Sequence, residues 1–285
     1  MSTDNTDQIA EWNGALGRRW AESQAEIDRI VVPFGDAALR LAAPQVGERV
    51  IDLGCGCGDT SIELARRVGP SGSVLGVDVS RPMLDVARAR AGANAGVHLA
   101  FMEADASVAA LPLNTDLIFS RFGAMFFAEP VPALRHLRAS IRAGGRFVFA
   151  CWRVPRDNPW AMAPLVAARK ALGITSAPAD PHAPGPFAFA DDARLRAMLS
   201  QAAFESIDMQ RVDAPVFLGA TPRAAAESAA RLGPTSMLVR ELGIERLPAI
   251  VDGVEVALQT VAAADGHVSL NGSAWTVHAS NPRAL

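Results

Sequence analysis

Residues 50–58 read Val-Ile-Asp-Leu-Gly-Cys-Gly-Cys-Gly, an apolar run that gives way to alternating glycines. The apolar run predicts a buried strand that ends at Leu53, and the spacing of apolar residues after Thr60 predicts a helix. Because glycine accepts positive φ and has no Cβ, a ligand can lie directly against the main chain of the turn between them. A strand, a glycine-rich turn and a helix in this order are typical of a nucleotide-binding crevice.

The glycine spacing does not fit the dinucleotide fingerprint Gly-x-Gly-x-x-Gly. Counted from Gly54, the third glycine falls on Asp59, and counted from Gly56 it falls on Ser61. The loop holds no basic residue for a pyrophosphate and is flanked by the acids Asp52 and Asp59. An acidic loop suits a cationic ligand or an amino-acid ammonium group better than phosphates. A Rossmann domain that binds a nicotinamide or flavin nucleotide remains the alternative interpretation.

Two further acids follow predicted strands. The segment Ser73–Val79 predicts a second strand with Asp78 at its carboxyl end, where a carboxylate can accept hydrogen bonds from both ribose hydroxyls. A third strand, at about 97–102, leads to Asp105, which can accept a hydrogen bond from an adenine amino group. Together they indicate an adenosine without phosphates, whose amino-acid end lies near the glycines.

Three motifs carry a family resemblance: the glycine-loop stretch, then Gly-Val-Asp-Val-Ser-x-x-Met-Leu, then Glu-Ala-Asp-Ala. In this order and spacing they resemble the class I S-adenosylmethionine-dependent methyltransferases, in the small-molecule, ubiquinone-biosynthesis-like branch. The resemblance covers roughly residues 45–151 and parts of the N-terminal arm. It implies a doubly wound, Rossmann-like α/β fold with seven strands, the last antiparallel. It also implies S-adenosylmethionine as methyl donor and S-adenosylhomocysteine as product. The residues expected at the cofactor are Trp20, Gly54, Cys55, Gly56, Asp78, Val79, Met83, Asp105, Ala106 and Ser120.

Composition narrows the class of partner. The 285 residues carry a net charge of −3 without a run of Lys and Arg, so nucleic acid is not an expected partner. No apolar run reaches membrane-spanning length, and the polar, acidic N-terminus does not predict a signal peptide. The three cysteines form neither a disulfide framework nor a metal-ligand pattern. We therefore expect a cytoplasmic monomer or homodimer without metal that acts on a small molecule.

The chain divides into four predicted segments. Residues 1–44 form a helical arm, and residues 45–153 form the cofactor-binding core. A proline-rich lid follows at 154–190, and residues 191–285 complete the core with two strands, at about 205–212 and 269–279, around a helical cap at 221–264. The arm carries Trp12, Leu16 and Trp20 at helical spacing, interrupted by glycines. It either folds over the cofactor, as the resemblance suggests, or is simply docked by apolar contacts.

Bulky apolar residues follow the fourth predicted strand, at 115–120. They either line a substrate pocket or pack the edge of the sheet. Arg121 stands among them and can meet a carboxylate of the cofactor or substrate, or cap a helix. The residues expected at the acceptor are Arg121, Phe122, Phe126, Trp152 and Phe187.

Methyl transfer from a sulfonium is an in-line displacement, so alignment and exclusion of water are the protein's main tasks. Where an acceptor must lose a proton, His182 in the proline-rich loop is the best-placed histidine. Ser-Arg-Phe-Gly after strand four is not the Asn/Asp-Pro-Pro-Tyr/Phe motif of amino-group DNA methyltransferases, and no Pro-Cys nucleophile is present. A small, partly apolar acceptor is the favoured substrate. The alternative is a protein of this fold that binds the cofactor but catalyses a non-methylating reaction or serves as a binding protein.

Overall fold

The computed structural model of the chain describes residues 5–92, 98–175 and 183–283. Its strands are β1 Arg49–Leu53, β2 Ser73–Asp78, β3 His98–Glu103, β4 Thr115–Arg121, β5 Ile141–Trp152, β6 Glu205–Gly219 and β7 Val268–Ser280. Its helices are α1 Thr6–Asn13, α2 Ala15–Glu22, α3 Gln24–Ala42, α4 Asp59–Val68, α5 Arg81–Gly92, α6 Pro130–Ser140, α7 Pro159–Ala171, α8 Asp192–Gln201, α9 Pro222–Arg231, α10 Pro234–Leu242 and α11 Leu247–Gln259.

The seven strands form one sheet in the order β3-β2-β1-β4-β5-β7-β6. The first five strands in this order pair in parallel, and β7 pairs antiparallel with β5. The chain therefore reverses its direction of travel across the sheet between β1 and β4, and such a switch point opens a crevice at the carboxyl ends of the strands. The expected fold class, with its antiparallel last strand, is confirmed.

The core lies on both faces of the central strands. Four of the five residues of β1 are buried, and Leu117 and Phe119 of β4 are fully buried. Helices α3 and α4 cover these strands through residues such as Leu39 and Leu64. Burial on both faces explains why β1 reads as a continuous apolar run rather than as an alternating pattern.

The chain divides into two compact units. One unit comprises residues 1–152, 182–212 and 274–285, and the other comprises 153–181 and 213–273. In the second unit, α11 packs against α7 and α9. The segment 154–190, expected as one stiff lid, thus contributes α7 to the second unit, whereas residues 183–190 belong with the sheet.

The ends of some strands and helices in the last third of the chain differ from those predicted. Strand β6 runs to Gly219, beyond the predicted end near 212, although it contains Pro215. It lies at the edge of the sheet, which is where prolines within strands are usually found. The stretch 221–264 contains three helices, broken at Gly233 and Gly243. None of the helices in the described part of the chain is both long enough and apolar enough to cross a membrane.

Candidate cofactor and methyl-transfer site

The glycine turn links the carboxyl end of β1 to the start of α4. Gly54, Gly56 and Gly58 have φ angles of +64°, +54° and +81°, a region that residues with a side chain rarely adopt. A Cβ on Gly54 would lie 2.8 Å from the Cα of Gly123, and one on Gly56 would lie 2.8 Å from the Cε of Met83. Both conformation and space therefore require glycine at 54.

Asp78 at the end of β2 holds this turn. Its Oδ2 accepts a 2.8 Å hydrogen bond from Gly56 N, and its Oδ1 accepts one of 2.8 Å from Ser80 N. Burial raises the pKa of the Asp78 carboxyl, although these backbone donors oppose the shift. Because each carboxylate oxygen has two acceptor sites, Asp78 can also receive ribose hydroxyls.

Asp105 lies two residues beyond the end of β3, on the same edge of the sheet. Its Oδ1 accepts hydrogen bonds of 2.9 Å from Ser107 N and of 2.9 Å from Nδ2 of Asn5, which belongs to the arm. The neighbouring Ala106 is buried. Asp78 and Asp105 thus end adjacent strands, with Asp78 O accepting from Ala104 N at 3.0 Å.

Ser120 joins the ends of β1 and β4 underneath the turn. Its Oγ donates to Leu53 O at 2.9 Å and accepts from Gly123 N at 3.2 Å. The residue is fully buried, so its hydroxyl serves to seat Gly123 against Gly54. Ser120, predicted at the cofactor, holds the residue before the glycine turn and Gly123 together through these two bonds.

The N-terminal arm packs against the turn between β2 and α5. Asn13 Nδ2 donates to Val79 O at 2.7 Å, and Asn13 Oδ1 accepts from Arg81 N at 3.0 Å. Ser80 Oγ donates to Trp12 O at 2.8 Å, and the Trp12 and Trp20 rings meet edge to face at 5.2 Å. The arm thereby lies against Val79, and Trp20, also predicted at the cofactor, contacts Trp12 of the same arm.

Asp52 is a buried acid directly before the glycine turn. Its Oδ2 accepts from Thr60 Oγ1 at 2.7 Å and from Ser61 Oγ at 2.6 Å, while its Oδ1 is buried without a hydrogen-bond partner among the described residues. Burial raises the pKa of Asp52 to about 6, against the opposing effect of these two hydroxyls. The sequence marked Asp52 as an acid beside the loop but gave no sign of this shift.

Arg121 belongs to a ring of four charges. Its Nη2 lies 2.9 Å from Asp28 Oδ1 and its Nη1 lies 2.8 Å from Asp59 Oδ2. Arg90 closes the ring, 3.2 Å from Asp59 Oδ1 and 3.6 Å from Asp28 Oδ2, and it also donates to Cys57 O at 2.8 Å. The guanidinium expected at the acceptor therefore ties α3, α4 and the loop to the end of β4 in this structure.

Aromatic side chains gather after β4 and β5. Phe122 stacks on Trp152 with ring centroids 4.2 Å apart and planes 18° apart, and Phe34 meets Trp152 edge to face at 4.9 Å. Phe122 has a φ of +62°, an outlier for a residue with a bulky side chain, and such outliers cluster at functional sites. The end of β4 therefore carries the aromatic groups in a constrained arrangement.

Phe126 and Phe187 approach the same region from two loops. Phe126 meets Trp12 of the arm edge to face at 5.4 Å. Gly185 N donates to Met125 O at 3.3 Å, which brings the loop carrying the half-buried Phe187 beside the segment that follows β4. The structure thus brings together Phe122 with Trp152, and Phe126 with the arm.

Other candidate groups for chemistry are engaged elsewhere or not described. His182 lies outside the described residues, His136 binds Ala109 O at 2.7 Å, and His267 pairs with Asp265. Burial raises the pKa of all three cysteine thiols, which disfavours a thiolate nucleophile. Among the residues that the structure describes, no group of His, Cys, Asp and Glu could hold a metal ion.

These groups fit an S-adenosyl ligand. None of residues 54–58 is basic, and glycines at 54, 56 and 58 place no Cβ at these three positions, which suits a nucleoside without phosphates. Asp78 is held by the turn and offers acceptors for the ribose, and Asp105 offers an acceptor on the adjacent strand end.

Comparisons with known proteins agree with this geometry. A methyltransferase-domain family model matches residues 50–145. The chain is 31% identical over 147 residues to the aklanonic acid methyltransferase DauC of Streptomyces sp. strain C5, covering 50% of this chain and 67% of that protein. It is 37% identical over 112 residues to the demethylmenaquinone methyltransferase of Thermus thermophilus, covering 39% of this chain and 50% of that protein. The chain thus spans about half the length of this second relative.

Among solved structures, the phosphoethanolamine N-methyltransferase 2 of Haemonchus contortus in complex with S-adenosyl-L-methionine has the same fold. The TM-score is 0.60 at 17% sequence identity, over 99% of this chain and 60% of that chain. Family model, relatives and fold agree with the motifs, so the expected family, enzyme class and cofactor are confirmed. The chain belongs to the class I S-adenosylmethionine-dependent methyltransferases, in the branch that methylates small molecules.

Proposed function

We propose that this chain transfers a methyl group from S-adenosylmethionine to a small, partly apolar acceptor that lies beside the aromatic residues after β4. The observation that carries the proposal is the link between Asp78 and the glycine turn, through the 2.8 Å bond from Gly56 N. This bond joins Asp78, which would accept from the ribose hydroxyls, to the glycine turn, which would lie beside the amino-acid end of the ligand. An adenosyl group without phosphates requires this arrangement.

The chain's own residues would bind and orient both reactants. S-adenosylmethionine, when bound, supplies a methyl group on a sulfonium that is already activated toward displacement. Asp78 would accept from the ribose hydroxyls and Asp105 from the adenine amino group. The glycine turn would allow close approach at the amino-acid end, near the acid Asp52. Because the reaction needs in-line geometry in a dry site, the docked arm with Trp12 and Trp20 would help to exclude water.

The acceptor side is apolar and aromatic. We propose that Phe122, Phe126, Trp152 and Phe187 contact the acceptor, with His182 as the candidate base where a proton must be removed. The partly exposed Phe122, Phe126 and Phe187 support this assignment because exposed aromatic faces can stack on a planar or apolar ligand. The named relatives act on aklanonic acid and demethylmenaquinone, which supports screening organic acids and quinone-related compounds first.

Location and assembly are proposed on the sequence. We infer a cytoplasmic location, because the three cysteines are buried free thiols that suit a reducing compartment. We also propose a monomer or homodimer. Size-exclusion chromatography with light scattering tests the assembly: a mass of one or two chains agrees with the proposal, and a larger one contradicts it.

Two measurements test the proposed function. In thermal shift, S-adenosylhomocysteine should stabilise the protein and NADPH should not, because a ligand stabilises only the state it binds. Transfer of a labelled methyl group from S-adenosylmethionine to acids and quinols should then identify the acceptor class. Stabilisation by NADPH alone would contradict the cofactor site. Stabilisation by S-adenosylhomocysteine without transfer to any acceptor would favour the non-methylating alternative.

A further inference from the structure

Asn5 stands at the N-cap position of α1, yet its side chain makes no capping hydrogen bond. Asparagine is among the preferred N-cap residues because its side-chain oxygen can accept from the first turn of the helix. The carboxamide of Asn5 is instead directed away from its own helix. A residue that breaks a local rule in this way is expected where a different interaction has been favoured.

The Asn5 carboxamide bridges two distant parts of the sheet edge. Its Nδ2 donates to Asp105 Oδ1 at 2.9 Å and to Ser107 Oγ at 3.2 Å, after the end of β3. Its Oδ1 accepts from Ala128 N at 2.8 Å, in the segment that follows β4. The Asn5 side chain therefore contacts both Asp105, the predicted partner of the adenine amino group, and the loop beside the residues predicted to contact the methyl acceptor.

The bond from Asn5 determines which oxygen of Asp105 remains for a ligand. Oδ1 already accepts from Ser107 N at 2.9 Å, so the second donor from Asn5 fills its two acceptor sites. Within the described ranges, Oδ2 of Asp105 receives no hydrogen bond. With Oδ1 held by two donors, rotation of the carboxylate is restricted, and Oδ2 is the oxygen left to accept a further hydrogen bond.

We propose that Asn5 is a positioning residue of the adenine subsite. It fixes Oδ1 of Asp105 so that Oδ2 faces the adenine amino group, and it makes arm docking and adenine recognition a single coupled event. This inference rests on the proposed assignment of Asp105 to adenine. By linkage, the cofactor must strengthen arm docking by the same factor by which the docked arm strengthens cofactor binding.

The test compares two ligands that differ at the adenine amino group. S-adenosylhomocysteine carries this group, and S-inosylhomocysteine carries a carbonyl oxygen in its place. Isothermal titration of the full chain gives the dissociation constant of each for wild type, Asn5→Ala, Asn5→Asp and Asn13→Ala. Asn13 is a matched control because the same residue type, on the same arm, binds Val79 O and Arg81 N instead of Asp105.

Asn5→Ala should weaken S-adenosylhomocysteine binding about 5- to 10-fold more than it weakens S-inosylhomocysteine binding, because weaker arm docking affects both ligands and only S-adenosylhomocysteine carries the amino group. Asn5→Asp should lose at least as much, because its carboxylate repels Asp105 even though Asp is an equally good N-cap. Asn13→Ala should weaken both ligands by the same factor. Equal weakening of both ligands in Asn5→Ala would overturn the inference, since it would show a role in arm docking alone. Tighter binding in Asn5→Ala would also overturn it, since Asn5 would then compete with adenine.

The variant Asp105→Ala tests the role of Asn5 separately from the proposed contact between Asp105 and adenine. If Asp105→Ala leaves the discrimination between the two ligands intact, the proposed role of Asp105 fails. If it abolishes the discrimination while Asn5→Ala does not change it, only the inference about Asn5 fails. The inference predicts that the double variant Asn5→Ala/Asp105→Ala discriminates between the two ligands to the same degree as Asp105→Ala, because Asn5 acts on adenine recognition only through Asp105.

Discussion

The carboxyl ends of β1, β2 and β3 differ in residue type from the carboxyl ends of β4 and β5. On the first side, the proposed site consists of glycine main chain, with no room for a Cβ at 54, and of two carboxylates that accept backbone hydrogen bonds. On the second side, Phe122 stacks on Trp152 and Phe126 meets Trp12, contacts that other apolar residues can replace in part. The difference teaches that the proposed cofactor side depends on backbone geometry that only a few residue types allow, whereas the proposed acceptor side depends on apolar contacts that can vary.

The largest effect is expected from Gly54→Ala on the cofactor side. The new Cβ would lie 2.8 Å from a backbone atom of Gly123, which cannot rotate away. We expect affinity for S-adenosylhomocysteine to fall by more than about 100-fold, and the free energy of unfolding to fall by about 2–4 kcal/mol. Isothermal titration and denaturant unfolding measure these effects.

Gly173→Ala is the matched control for this variant. Gly173 has a φ of +65°, nearly that of Gly54, but a Cβ there would meet nothing within 4 Å. Only the conformational strain of about 1 kcal/mol should remain, with unchanged affinity. If Gly54→Ala binds within about threefold of wild type, close packing of the turn is not what defines the cofactor side.

A second effect concerns pH and the buried acid beside the turn. The pKa of Asp52 is about 6 in the folded protein and about 3.8 in an unfolded chain. Between these values the folded protein keeps the proton, so its contribution to stability is fully present below about pH 4 and is lost as pH rises through about 6. We expect the free energy of unfolding of wild type, relative to Asp52→Asn, to fall by on the order of 3 kcal/mol between pH 4 and pH 7.

Asp116→Asn is the control with the opposite expected change of stability with pH. Burial of Asp116 opposes ionisation, but hydrogen bonds from Arg142 and from Arg49 N outweigh it and lower the pKa of Asp116. Its contribution is present at neutral pH and is lost as pH falls through the lowered pKa. Denaturant unfolding at several pH values resolves both trends, and a pH-independent difference between wild type and Asp52→Asn would contradict the assignment to Asp52.

A third effect lies at the boundary between the two sides, at Arg121. Replacement by Met leaves Asp28 and Asp59 with one cation instead of two in a partly buried ring. We expect the free energy of unfolding to fall by about 1–3 kcal/mol, less than for a fully buried pair because Asp59 is about one-third exposed. Arg223→Met, in an exposed cluster of three carboxylates, should change the melting temperature little. An acceptor KM that rises with unchanged stability would instead support the sequence-based substrate role of Arg121.

The smallest effect is expected from Phe126→Ala on the acceptor side. Loss of one aromatic face should raise the KM of the acceptor by about 3- to 10-fold and change the affinity for S-adenosylhomocysteine by less than about twofold. Phe217→Ala, at an exposed phenylalanine, is the control and should change neither. A drop in cofactor affinity without a change in acceptor KM would place Phe126 on the cofactor side and weaken the contrast between the two sides.

The sequence predicted those parts of the molecule whose structure depends on residues close together in the chain. The strand, turn and helix around Gly54, the position of Asp78 at the end of β2, and the break of the arm at Gly14 all follow from neighbouring residues. Local preferences fix these features because conformation and burial are decided within a few residues.

The rest could not be predicted because it joins residues far apart in the chain. The bond from Asn5 to Asp105 spans 100 residues, and the pair Arg121–Asp28 spans 93. No periodicity or motif relates such positions, since only the packing of the arm and of α3 against the sheet brings them together. The strained φ of Phe122 was hidden for the same reason: Phe122 N donates to Ala150 O on the neighbouring strand.

The most direct test of the cofactor side is the affinity of Asp78→Ala for S-adenosylhomocysteine, measured by isothermal titration. We predict binding at least about 30-fold weaker than wild type, because the variant loses the ribose acceptor and the bond that holds Gly56 N. Asp116→Ala, which removes a carboxylate near the amino end of β4, away from the carboxyl ends of the strands, should bind like wild type. Equal affinity of Asp78→Ala and wild type would contradict the central claim that the glycine turn and Asp78 together hold the adenosyl group.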